Sequence, residues 1–115
     1  MNLVPGGLEV HDGVVYVALT CTAESVPGQS AAARQALLRG FVYTFDGVSF
    51  TQVANFPLNY SRGSLTWLPW APTATGGSSA PQPWLMGIEI DDQGFMVVGV
   101  TDRFGHQSGV GSSTA

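Results

Sequence analysis

The chain reads as an all-β protein of antiparallel, β-propeller-type blades, with one short helix carried in a loop. Three observations predict it. Apolar runs of strand length are separated by Asp-Gly turns, and the 115 residues include 15 glycines and 7 prolines, a composition suited to short strands joined by tight connections. One apolar hairpin also occurs twice: GLEVHD-GVVYVALT, from Gly7 to Thr20, aligns with GIEIDDQGFMVVGVT, from Gly87 to Thr101. The copies start 80 residues apart and the second has one extra residue in its turn, the internal similarity expected of repeat architectures.

The first hairpin runs from Gly7 to His11, turns at Asp12-Gly13, and returns through Val14–Cys21. Asp supplies local hydrogen bonds and Gly the positive φ of such a turn. Val15, Val17, Leu19 and Cys21 occupy one face of the return strand and Val14, Tyr16 and Ala18 the other. With both faces mostly apolar, the strand is expected inside a stack of sheets. The stretch 22–39 is an insertion in which Ser30 caps a short alanine-rich helix and Gly40 stops it. A second hairpin follows, Gly40–Phe45 and Phe50–Val53 around the turn Asp46-Gly47-Val48-Ser49. Its clearer polar alternation places it nearer a wet edge.

A second insertion, Asn55–Pro83, holds Trp67-Leu68-Pro69-Trp70 and the low-complexity stretch 71–81, flexible by composition. The repeated hairpin then occupies Met86–Ile90 and Phe95–Val100 around Asp91-Asp92-Gln93-Gly94, and leads into the polar cluster Thr101–Gln107. This divides 1–115 into a first blade at 7–58, a long loop at 59–83, half of a second blade at 84–107 and a flexible tail at 108–115. Closed propellers need about 4–8 blades and these strands supply about one and a half. The chain is therefore expected to be a fragment whose partners include the remaining blades of a longer chain, since an exposed blade face is an apolar liability.

Composition bounds the function. Hydrophobic residues make up 44% and charged residues 10%, with no lysine and a net charge of −4, which excludes a disordered chain and makes nucleic acid or an anionic membrane an unsuitable partner. Cys21 is the only cysteine, so no internal disulfide is available. The opening residues lack a basic region followed by an apolar core, so no signal peptide is expected, and no apolar run has the length of a membrane span.

Several strings together resemble one family. They are Cys21-Thr22-Ala23-Glu24, Leu38-Arg39-Gly40-Phe41-Val42-Tyr43, Phe56-Pro57-Leu58-Asn59-Tyr60-Ser61-Arg62-Gly63, Trp67-Leu68-Pro69-Trp70, Pro81-Gln82-Pro83, Ile88-Glu89-Ile90-Asp91 and Asp102-Arg103-Phe104-Gly105-His106-Gln107. In that order they resemble the propeller-like region of large bacterial cell-surface proteins that carry serine-aspartate-repeat (SdrD) B-like domains. The resemblance implies secretion, an extracellular or cell-surface location, and an adhesive or scaffolding role toward a protein or glycan ligand.

Candidate chemistry is sparse. Asp91-Asp92-Gln93-Gly94 lacks the alternating oxygen ligands of a calcium loop and reads as a turn. Asp102, Arg103 and His106 form the most interesting trio, with Arg62 a further cation and Trp70 an aromatic neighbour; these five are the candidate binding residues. Arg103 and His106 suit a ligand carboxylate or sugar, His106 changing charge near neutral pH. The competing reading makes the trio a clasp that pins a loop by hydrogen bonds to backbone. Glu9 and Glu89 occupy matching repeat positions and raise an alternative, a carbohydrate-active propeller using one of them with Asp102. Trp67, Trp70 and Trp84 offer either a sugar-stacking platform or packing for a long loop. Cys21, His11 and His106 lack zinc spacing. The expected function is a non-catalytic scaffold or binding module, without cofactor or metal.

Overall fold

The computed structural model describes residues 2–24, 30–62, 65–70 and 81–103, with the side chains of Ala31, Arg62 and Leu65 outside that description. Strands β1 (Leu3–His11), β2 (Val14–Cys21), β3 (Arg39–Phe45) and β4 (Phe50–Pro57) form one antiparallel four-stranded sheet in the order β1-β2-β3-β4. A small ribbon pairs β5 (Ser61–Arg62) with β6 (Leu65–Thr66), and β7 (Pro83–Ile90) pairs with β8 (Met96–Asp102) as a separate two-stranded sheet. Helix α1 covers Ala31–Gln35. The described residues are thus mostly β and antiparallel with one short helix, and they do not close a ring of blades.

Local chemistry accounts for the turns. Asp12 and Gly13 take φ of 51° and 77°, the mirror-image conformation whose twist matches the flanking strands. Asp46 Oδ1 accepts from Val48 N at 2.9 Å and Ser49 N at 3.0 Å. Asp91 Oδ1 accepts from Gln93 N and Phe95 N, each at 2.9 Å. That carboxylate oxygen closes a turn, as the residue pattern indicates.

The sequence repeat is repeated in three dimensions, register for register. In the first hairpin Val4 faces Thr20, Pro5 faces Leu19, Leu8 faces Val17, Glu9 faces Tyr16 and Val10 faces Val15. In the second, Trp84 faces Thr101, Leu85 faces Val100, Ile88 faces Val98, Glu89 faces Val97 and Ile90 faces Met96. Even the irregularity recurs, between Pro5 and Leu8 in β1 and between Leu85 and Gly87 in β7. A bulge kept at the same place is a built feature of the unit.

The second hairpin stacks on the first sheet. Leu85 and Ile88 join Ala18, Leu38, Val42 and Leu58 in the buried core, with Tyr16, Ile90, Met96, Val98 and Val100 packed around them. Strand alternation therefore gives β2 a covered face carrying Tyr16, Ala18 and Thr20 and an opposite face carrying Val15, Val17 and Leu19. At the bulge the two backbones touch: a Cβ on Gly6 would lie 1.7 Å from Leu85 O, and one on Gly7 would lie 3.0 Å from Gly87 C. Glycine is what permits this approach. Beside it, the fully buried Thr20 Oγ1 accepts from Leu85 N at 3.0 Å, tying the two sheets together.

Four expectations need correction. The helix ends at Gln35, not at Gly40: Leu38 is fully buried in the core and Gly40 already belongs to β3. There Gly40 lies opposite Phe56, whose ring occupies the space a side chain would fill. β4 runs on past Val53 to Pro57 because the ladder resumes beyond a bulge. The long loop contains the β5–β6 ribbon. β2 is covered closely on one face only, since Val15, Val17 and Leu19 are half-buried. Cys21, at the end of β2, is fully buried and unpaired.

Candidate functional site

The described candidate residues converge at one end of the molecule, where β2 ends, β7 begins and β8 ends. The chain at Trp70 crosses this end and is held by main-chain bonds, Trp70 N donating to Thr22 O at 3.0 Å and Leu68 N to Pro81 O at 2.8 Å. Asp102, the last residue of β8, accepts from Gln82 N through Oδ1 at 2.9 Å. Arg103 follows, donating from its main-chain N to Gln82 O at 2.8 Å and from Nη1 to Gln82 Oε1 at 2.6 Å. Gln82 is thus gripped through its amide, its carbonyl and its side chain while only 1% exposed. Such a residue satisfies the rule that buried polar groups find partners.

The aromatic part completes the cluster. The Arg103 guanidinium lies 4.4 Å from the Trp70 ring centroid, in range for attraction between a cation and a π face. Trp70 Nε1 donates to Pro83 O at 2.7 Å, and the Trp70 ring meets Trp84 edge to face at 5.7 Å and 81°. Trp84 Nε1 in turn donates to Pro5 O at 3.2 Å, reaching back to β1. Trp67 is buried against the core and its carbonyl accepts from Gln35 Nε2 at 2.9 Å. Trp70 is buried and stands perpendicular to Trp84, so these rings do not form a coplanar stacking surface.

Of the five candidate binding residues, the structure brings together Asp102, Arg103 and Trp70. His106 lies outside the described residues, as does the side chain of Arg62. Gln82 is the member that residue-by-residue reading does not single out, while Trp84 is weighed there for stacking or packing. The available signal was Pro81-Gln82-Pro83, a polar residue locked between two prolines at a strand start. Glu9 and Glu89 are not brought together. They sit at equivalent positions on successive stacked hairpins, Glu9 half-buried toward β7–β8 and Glu89 exposed on the far side of it. Among the described residues, no three His, Cys, Asp or Glu side chains cluster to hold a metal ion. Among them, too, no helix is long and apolar enough to cross a membrane.

The fold and the cluster define a small antiparallel β protein of stacked, duplicated hairpins closed by a polar–aromatic clasp. Comparison with known proteins finds similarity to Colossin-A from Dictyostelium discoideum, 31% identical over 116 residues. The match covers 90% of this chain and 1% of Colossin-A. No family model matches the chain and no solved structure matches it. The resemblance to bacterial surface proteins with SdrD B-like domains is overturned: the similarity found runs to a eukaryotic protein and no family model supports the assignment.

Proposed function

We propose that the chain is a non-catalytic scaffold or binding module, a piece of a propeller-type array with an extracellular or cell-surface setting. The observation that carries this reading is the duplicated hairpin, which keeps the same register and bulge and stacks layer on layer. Arrays of this kind derive stability from contacts between neighbouring units and offer extended surfaces for binding. The state of the carboxylates supports it as well. Asp102 holds the backbone of Gln82, and Glu9 and Glu89 stand on different layers, whereas glycoside hydrolysis needs paired carboxyl groups flanking one bond.

The test is a panel of glycosides and glycans offered to the wild type and to Glu9→Gln, Glu89→Gln and Asp102→Asn. The scaffold reading expects no turnover by any of them, with Asp102→Asn lowering thermal stability. Hydrolysis by the wild type that one of the Glu variants abolishes sinks it in favour of the carbohydrate-active alternative. Protease accessibility of a tagged chain on intact cells checks the location.

A further inference from the structure

We infer that the chain associates head to tail with a second copy of itself, the outer face of β7–β8 in one copy seating on the outer face of β1–β2 in the other. The inference rests on the stacked-repeat reading above and deepens it by naming the occupant of the two open faces.

The argument comes from the register. The face of β7–β8 that packs on the first sheet carries Ile88, Ile90, Met96, Val98 and Val100. Its counterpart in the first hairpin carries Leu8, Val10, Val15, Val17 and Leu19, because the two ladders match pair for pair. Ile88 is only 4% exposed, whereas Leu8 is 66% and Val10 60% exposed. The equivalents of the side chains that dock the second hairpin are therefore present on the first, where Leu8 and Val10 are turned to solvent and Val15, Val17 and Leu19 are half-buried. β3 and β4 widen this patch with Phe45 and Phe50, which stack at 4.6 Å between ring centroids.

The complementary face is duplicated too. β7–β8 lands on Tyr16, Ala18, Thr20 and the glycines of β1; the equivalents on the second hairpin are Val97, Gly99, Thr101 and Gly87. Ala18 is fully buried and Tyr16 half-buried, whereas their equivalents Gly99 and Val97 are exposed, Val97 by 67%. The glycines show the contrast most directly. A Cβ on Gly7 would meet Gly87 at 3.0 Å, while one on Gly87 would meet nothing within 4 Å. One interface of this type is realised inside the chain, and an exposed apolar part of each half, Leu8 and Val10 on one and Val97 and Gly99 on the other, is displayed again at opposite sides of the stack. A contact joining unlike faces propagates until it closes on itself. Met86 stands where the first hairpin has Gly6, so the contact between copies lacks the close backbone approach at the bulge and rests on the apolar surface around Val97 and Gly99.

The experiment is sedimentation equilibrium on the full chain over a wide concentration range, with circular dichroism confirming the fold of each variant. The wild type is expected to form dimers and larger species as concentration rises. Leu8→Glu and Val97→Glu each place a carboxylate in the contact and lower the association constant by more than about tenfold. Mixing the two variants restores a dimer and nothing larger, because each retains the one face the other needs. Met86→Gly strengthens association by recreating the close approach at the bulge. A wild type that stays monomeric throughout, or a mixture that does not pair, overturns the proposal, as does loss of association in Leu8→Glu alone. Leu8→Ser and Val97→Ser replace either variant that fails to fold. Glycoside turnover would sink the scaffold reading and leave these outcomes unchanged, so the two failures are distinguishable.

Discussion

At Gly6 the distance of 1.7 Å from an added Cβ to Leu85 O leaves no room for the smallest side chain. Gly6→Ala therefore pushes β1 off β7, and overpacking of this severity is expected to cost at least about 3 kcal/mol. Gly87→Ala is the control: its Cβ enters open space, and the change should stay within about 0.5 kcal/mol. Urea unfolding of both variants checks the pair, and equal effects would contradict the stacking geometry. Thr20→Val tests the neighbouring bond at constant volume. It leaves the buried Leu85 N–H without its acceptor, a loss of about 1–3 kcal/mol readable in the same titration. Residues of this kind divide by how far away their partner is in the chain. The Asp-Gly turns were legible because Asp46 and Asp91 bond amides within four positions of themselves. Gln82 was not, since its partner Asp102 arrives from the end of another strand.

Among the elements, the turn at Asp46 makes a prediction about acid. The amides of Ser49 and Val48 stabilise the charged carboxylate, holding its pKa below the ordinary 3.8. A carboxyl group with a depressed folded-state pKa contributes stability above its unfolded value and loses it as pH falls through the folded value. Asp46→Asn should flatten the dependence of melting temperature on pH below about pH 4 and leave it unchanged at neutral pH. Thermal scans through the acid range measure this; an unaltered acid slope would remove the turn from the account. Element boundaries were less legible than the turns. Alanine-rich sequence suggests a helix reaching Gly40, but burial of Leu38 claims the segment for the core before then. The two faces of β2 were indistinguishable by hydropathy. Only the stacking of β7–β8 decides that Ala18 is fully buried while Val17 is half-buried.

For the whole molecule, the two hairpins are unequal in support. A two-stranded ribbon is marginal alone in water, so β7–β8 depends on docking, whereas β2 is bonded to a strand on each side. Native-state hydrogen exchange should find the slowest amides in β2 and β3 and the fastest in the β5–β6 ribbon. Protection in β7–β8 should fall sharply in Gly6→Ala, and an unchanged pattern there would argue against docking through β1. The duplication itself was readable from residues because it lies in a contiguous string. The clasp was legible only in part, since Trp70, Gln82 and Arg103 meet through a chain path that sequence does not trace.

Cys21 turns this architecture into its own reporter. The chain has one thiol, and it is fully enclosed at the end of β2. A thiol-specific reagent can therefore act only when that end of the sheet swings open. The labelling rate becomes a clock on the breathing of the central sheet, with no probe engineered into the molecule. Substitutions that loosen the stacked hairpins should advance that clock in proportion to their cost. Changes confined to the outer turns should leave it running at its native pace.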